Sequence, residues 1–360
     1  MIFILQRLLP VVLFIITAAF FFYKVYGSLW FFLIIPLISF LPFILFYFLR
    51  ENRNEMFEVV LGHYLFYLNY ILIGAVSIVL VSFIAKLFSI DLLGLIAQRK
   101  IFFNIFIIIS FIGLYYLGNK NFENILVQNY EVPLQNRSLN KDLKFAFISD
   151  IHLNAKFDGS KLRESLKNME SEGVELVLIG GDFLDNTYKT VNDDIKSIID
   201  ETSFKHGIYL ALGNHEYYGG IDENIEYIKN LGIKILRDES TEIEGITIIG
   251  RDDRHNRNRK NLDELLKNIN PENTIIVVDH NPESLRELNG EKIDLYLSGH
   301  THRGQIFPFN LLVDHMYENS RGYKKINNTH SYVSSGLGTW MIPYRIGSQS
   351  EMFIMNLKAN

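Results

Sequence analysis

The chain has 360 residues, with 35 Lys+Arg against 40 Asp+Glu, no Cys and 48% hydrophobic residues. That length leaves room for two or three domains, and the absence of cysteine excludes disulfides and thiolate metal sites. Residues 1–140 hold 9 Lys+Arg and 6 Asp+Glu, a net of +3, whereas the remainder holds 26 and 34, a net of −8. So acidic a remainder lacks the broad basic face that a phosphate backbone requires, and nucleic acid is not an expected partner.

Four apolar stretches come first, at 8–23, 29–49, 65–85 and 101–117, and none contains Lys, Arg, Asp or Glu. About 20 apolar residues cross a hydrocarbon core, with a lower limit near 17. They predict a transmembrane region over residues 1–118 with about four helices, multi-pass in a cell membrane and in contact with the lipid bilayer. Phe21, Phe22, Tyr23, Tyr115 and Tyr116 suit the interfacial aromatic belt. Phe-Phe-Tyr-Lys follows the first stretch, where a cleaved signal peptide would need small residues. That stretch is therefore read as a span. Lys86–Lys100 is moderately amphipathic and suits the bilayer surface.

A polar connector over 119–142 leaves this region and includes an extended piece at Ile125–Val132. From Lys144 the chain repeats strand, loop and helix. Strands are predicted at Phe145–Ile148, Leu176–Ile179, Ile208–Leu212, Ile246–Ile249, Ile275–Val278, Leu295–Ser298 and Tyr332–Ser335. Helices are predicted at Lys161–Ser171, Asp193–Asp200 and Asp222–Leu231, the last stopped by Gly232. Alternation of buried strands with helices argues for a layered α/β domain over residues 143–360.

The strand ends carry the chemistry. Asp150-Ile151-His152, Gly181-Asp182-Phe183-Leu184-Asp185, Gly213-Asn214-His215-Glu216, Asp279-His280-Asn281-Pro282 and Gly299-His300-Thr301-His302 each follow an apolar run. In α/β sheets ligands gather at the carboxyl ends of strands. Carboxylates, imidazoles and an amide brought there suit two hard-to-borderline metal ions. His300 and His302, at i and i+2, share one face if their segment is extended. Singly each cluster is a common loop sequence; together and in this order they make a site.

These five blocks resemble the calcineurin-like metallophosphoesterases, and in particular their bacterial membrane-attached branch. The resemblance covers residues 143–357 and extends to the tail Tyr332–Trp340 with Pro343 and Arg345. It implies a β-sandwich flanked by helices in four αββα layers. It also implies a dinuclear centre of divalent Mn, Fe or Zn. Asp150, His152 and His302 would hold the first ion, Asn214, His280 and His300 the second, and Asp182 both. The implied reaction is phosphoester hydrolysis, with a metal-bridging hydroxide attacking phosphorus in line. His215 would stabilise the transition state or protonate the leaving oxygen.

Asp185 and Glu216 either hydrogen-bond the ligating imidazoles or stand as exposed loop carboxylates. Arg251, Arg254 and Arg257 are expected as a solvated charge run, with an Arg on the substrate phosphate as the other reading. Asp279 departs from the family pattern and would tune His280 or face solvent. Four spans exceed what anchoring needs, which points to a membrane-associated substrate such as a phospholipid or lipid-linked nucleotide. The rival readings are a nuclease or cyclic-nucleotide phosphodiesterase, and a membrane sensor that uses the domain for regulation.

Overall fold

The computed structural model describes residues 2–48, 55–132, 139, 141–154, 159–191, 194–267, 269–290 and 292–359. The chain divides into two compact units, Met1–Tyr116 with Met341–Pro343, and Leu117–Trp340 with Tyr344–Asn360. The first holds α1 (Ile2–Tyr26), α2 (Phe31–Phe48), α3 (Glu55–Lys86), the short α4 (Leu92–Gln98) and most of α5 (Lys100–Glu123). Two stretches, Val60–Lys86 and Lys100–Glu123, are long and apolar enough to cross a membrane. The apolar helical segments Val11–Tyr26 and Phe31–Pro42 are shorter. Helix α5 leaves Phe102, Phe106, Ile109 and Ile112 exposed, as a lipid-facing helix does and the core helix of a water-soluble domain does not. The amphipathic expectation at Lys86–Lys100 falls on α4, whose first turn is capped by the Asp91 side chain accepting from the Gly94 amide at 3.1 Å.

In the second unit the strands are β1 (Leu126–Val132), β2 (Leu143–Ile148), β3 (Leu176–Ile179), β4 (Gly207–Ala211), β5 (Lys234–Leu236), β6 (Glu239–Ile243), β7 (Ile246–Gly250), β8 (Thr274–Val278), β9 (Leu295–Ser298), β10 (Gly322–Ile326), β11 (Thr329–Val333) and β12 (Glu351–Leu357). They form two six-stranded sheets, ordered β1-β12-β2-β3-β4-β5 and β10-β11-β9-β8-β7-β6. The helices are α6 (Ser160–Ser171), α7 (Ile195–Asp200), α8 (Asn214–Tyr218), α9 (Ile221–Asn230), α10 (Leu262–Leu266) and α11 (Phe309–Met316). Successive strand residues point to opposite faces, and this period builds the layers. Phe145 and Phe147 of β2 join Leu178, Ile248, Ile276, Leu297 and Phe353 in a core between the sheets. Ala146 and Ile148 face the other way, toward Leu162 and Leu166 of α6 and Ile198 of α7. On the second sheet Ile249, Ile275 and Val277 pack with Leu262 of α10 and Leu285. The order is helix, sheet, sheet, helix.

The connector is more ordered than its polarity implies. Residues 119–123 continue α5, and β1 is an edge strand parallel to β12, from Leu126 opposite Glu351 to Val132 opposite Leu357. The amide of Asn121 donates to the Arg345 carbonyl at 3.1 Å, and the Ser350 amide donates to the Asn121 carbonyl at 3.0 Å. Within the connector, 133–138 and Asn140 lie outside the described residues. The predicted strand at Tyr332–Ser335 begins earlier, at Thr329, and ends at Val333, past which the Ser335 amide donates to a side chain, Glu351 Oε1, at 2.6 Å.

Phe353 is fully buried between the sheets, its ring 5.3 Å from Tyr130 and 6.1 Å from Phe147. Truncating it leaves a cavity in the core between the sheets. Phe353→Ala should destabilise the unit by about 3–5 kcal/mol, read as a lowered unfolding midpoint of the detergent-solubilised protein.

Candidate metal centre

Every predicted ligand sits just past the carboxyl end of a strand. Asp150 and His152 follow β2, Asp182 follows β3, Asn214 follows β4, His280 follows β8, and His300 and His302 follow β9. Because both sheets turn these ends the same way, residues 150 apart in sequence meet. Asp150 accepts from the His300 amide at 3.0 Å on both carboxylate oxygens, tying one sheet to the other. Backbone bonds register the loops: Asp150 N–H donates to Gly181 O at 3.0 Å, and His152 N–H to Asp182 O at 2.9 Å.

The donor atoms fall into two groups. In the first, Nε2 of His152 lies 3.0 Å from Nε2 of His302, which is 3.4 Å from Asp150 Oδ1. In the second, Asn214 Oδ1 is 3.1 Å from His280 Nε2 and 2.9 Å from His300 Nδ1, and those two nitrogens are 3.1 Å apart. Asp182 stands between the groups, its Oδ2 3.1 Å from His280 Nε2 and 3.8 Å from His152 Nε2. His300 and His302 therefore serve different groups. The expected extended segment is not formed: both residues take left-handed φ, 69° and 45°, which turns their rings apart.

Left-handed φ recurs at Asp150, His152 and Asp182, at 51–52°. Such a backbone costs on the order of 1–3 kcal/mol per residue and persists where the surroundings impose it. Two glycines make room for it. A Cβ at Gly213 would run into the Asp182 carboxylate, and one at Gly299 into that of Asp150.

The imidazoles are oriented from behind. His280 Nδ1 donates to the Gly180 carbonyl at 2.7 Å, and His152 Nδ1 donates to Asp185 Oδ1 at 3.1 Å. With the proton fixed on Nδ1, each Nε2 presents a lone pair to the centre. Asp185 is thus placed on the His152 imidazole rather than free in its loop. His215 is buried beside them, its ring centroid 4.5 Å from that of His152. It donates from Nδ1 to the Asp185 carbonyl, which leaves Nε2 as the nitrogen that can exchange a proton.

Electrostatics follow from this crowding. Burial alone would raise Asp182, but the imidazoles of His280, His215 and His152 hold its carboxyl well below the ordinary range. Burial pulls His280 down, yet Asp182 and Asp150 outweigh it and hold the ring well above its usual value. Burial lowers His215, and lowers His302 further with help from His152 and Arg345.

Glu216 is the main support that sequence reasoning left open. Fully buried, it accepts from the amides of Gly213 at 2.7 Å, Asp182 at 3.0 Å and Leu184 at 3.1 Å. It braces the loop after β3 against the loop after β4, even though burial and the charge of Asp182 push its carboxyl up to about 7. Arg345 plays the matching role on the other side. It is fully buried and donates to the carbonyls of Ser335 at 2.7 Å, Gly336 at 3.1 Å and Gly338. That loop in turn donates from Gly338 N–H to Asp150 O at 2.8 Å.

The expectation of a solvated charge run fails for Arg251. Arg251 is buried and pairs with Asp279 at 3.1 Å, and Arg259 pairs with the same carboxylate. Asp279 therefore does not face solvent; it anchors the loop after β7 to the strand end that carries His280. Arg254 pairs with Glu283 at the surface, and Arg257 is exposed. Neither reaches the donor groups.

A family model for calcineurin-like phosphoesterases matches residues 143–304. An uncharacterized metallophosphoesterase of Helicobacter pylori is 35% identical over 233 residues, 63% of this chain and 63% of that protein. One from Campylobacter jejuni is 33% identical over 266 residues, 72% of this chain and 70% of that protein. A Danio rerio protein described as a transmembrane protein with a metallophosphoesterase domain is 31% identical over 252 residues, covering 64% and 57%. The chain thus spans less than two thirds of the length of the Helicobacter and Danio relatives.

Removing the brace exposes its importance. Glu216→Ala leaves three buried amides without an acceptor and should weaken divalent-metal binding about 10- to 100-fold. Metal titration of the apoprotein, alongside its melting temperature, checks this.

Proposed function

This chain belongs to the calcineurin-like phosphoesterase family, and from that premise we propose that it is a membrane-attached phosphoester hydrolase working with two divalent ions. The observation that carries the reading is the convergence of proton-free donor atoms into two groups around the shared carboxylate of Asp182. Asp150, His152 and His302 would hold one ion, Asn214, His280 and His300 the other, and Asp182 both. Only two of the seven side chains are anionic, so the loaded centre stays cationic toward a phosphate. When bound, the ions polarise the phosphoryl oxygens and lower the pKa of water so that it attacks at neutral pH.

A donor set of imidazoles, carboxylates and an amide suits Mn, Fe or Zn, with availability choosing among them.

The chain's own residues do the rest. His215, with Nδ1 committed to the Asp185 carbonyl, exchanges its proton at Nε2 and delivers it to the leaving oxygen. Asp185 holds His152 in the tautomer that points Nε2 inward. Two helices able to cross a membrane, and relatives described as transmembrane proteins, support membrane attachment. We extend this to four spans and to a lipid-linked nucleotide or phospholipid as substrate. In support, Phe307, Phe309, Leu311, Leu312 and Met316, each 41–60% exposed, follow directly on the segment of His302.

Bis-p-nitrophenyl phosphate hydrolysis by purified protein should require Mn²⁺ and vanish in Asp182→Asn. His215→Ala should retain bound metal and lose about 10²- to 10⁴-fold in kcat; an unchanged kcat removes the acid role. The lipid part is checked separately, by comparing kcat/KM on micellar lipid phosphates with that on soluble nucleotides. A preference for soluble nucleotides sinks it.

A further inference from the structure

Beside the donor groups stands a row of rings that the hydrolase reading does not use. Tyr218 ends α8, its ring 4.8 Å from that of His215 and 5.4 Å from that of His255. The Trp340 ring lies 6.3 Å from His215, nearly perpendicular to it at 81°. Tyr218 and Trp340 are 54% and 50% exposed. Large exposed aromatics next to a polar centre call for a partner, and here they are held in place. Trp340 N–H donates to Gln305 Oε1 at 3.0 Å, and Gln305 Nε2 donates to the Trp340 carbonyl at 3.1 Å. The backbone on which the indole stands is thus pinned by a residue only three positions past His302.

Tyr218 adds a hydrogen-bonding argument. Its hydroxyl accepts from Asn214 Nδ2 at 2.9 Å, which fixes the amide so that Oδ1 faces His280 and His300. Having accepted from the amide, the hydroxyl still has its own proton to give, and no acceptor for it is found among the described residues. A phosphoryl oxygen bound at the centre is the acceptor within reach.

We propose that Tyr218 and Trp340 form a substrate subsite that takes a flat ring carried by the phosphoester, a nucleobase or an aryl group, with the Tyr218 hydroxyl donating to a phosphoryl oxygen. This rests on the hydrolase reading and narrows its substrate class. Stacking on an aromatic face tolerates any flat ring, so the subsite selects for flatness rather than for one base. An aliphatic ester group gains little there.

Two diesters that carry no other flat ring test it: methyl thymidine 5′-phosphate and methyl phosphorylcholine. The wild-type protein loaded with Mn²⁺ should favour the thymidine ester by about 10-fold or more in kcat/KM, a factor within reach of one base–aromatic stack. Trp340→Ala should raise KM for the thymidine ester alone and erase that preference. Tyr218→Phe, which keeps the ring but releases the Asn214 amide, should lower kcat/KM about 10-fold for both esters and leave the preference for the thymidine ester in place. In a Trp30→Phe background, thymidine 5′-phosphate should quench the remaining tryptophan fluorescence, a reading of binding that needs no turnover. Equal use of both esters, no quenching, or a Trp340→Ala loss shared by both esters together with lost metal overturns the subsite. No turnover of either ester by the wild-type protein overturns the hydrolase reading, and this inference with it.

Discussion

The constraint on which the second unit is built is the confinement of facing acceptors around Asp182. A buried carboxylate, an amide oxygen and imidazole lone pairs are brought within 2.9–3.8 Å of one another. Oxygen and nitrogen lone pairs repel at such distances unless positive charge lies between them. The chain places them there nonetheless, from seven residues of which five, Asp150, His152, Asp182, His300 and His302, have left-handed backbone. Such an arrangement endures only if the scaffold is stiff, and the two packed sheets supply that stiffness.

Stiffness reaches the centre through braces rather than through the core alone. Glu216 ties three amides of two loops, Arg345 ties the tail loop that carries Gly338, and Asp279 ties two arginines behind His280. Each is a buried ionisable group; the partners of Glu216 lie in two loops that bear candidate ligands, and those of Arg345 and Asp279 lie in loops beside them. A buried charge deprived of its partners is strongly destabilising, so each brace resists movement of its loop. That pre-organisation keeps the candidate ligand atoms aimed into the two groups around Asp182.

Much of the centre was legible in the sequence because its signal is local. A β-branched run ending in Gly-Asp or Gly-Asn-His-Glu states both the strand and a polar cluster at its end, and the family resemblance singles out Asp150, Asp182, Asn214, His280 and His302 within those clusters as candidate ligands. The braces were not legible. Glu216 and Asp185 have the same spacing whether they face solvent or the interior, and only the folded neighbours decide between the two. Asp279 and Arg251 are 28 residues apart, and nothing in either segment announces the other. The edge pairing of β1 with β12 is equally non-local, joining residues more than 200 apart. In the first unit composition marked four apolar stretches, and among the described residues two helical segments, Val60–Lys86 and Lys100–Glu123, are long and apolar enough to cross a membrane.

The most direct measurement is electron paramagnetic resonance of the purified protein reconstituted with Mn²⁺, combined with metal analysis of the same sample. The account predicts two ions per chain and the signal of an exchange-coupled pair, because Asp182 would be shared by both. One ion per chain with an isolated six-line spectrum, or no bound ion, would contradict it.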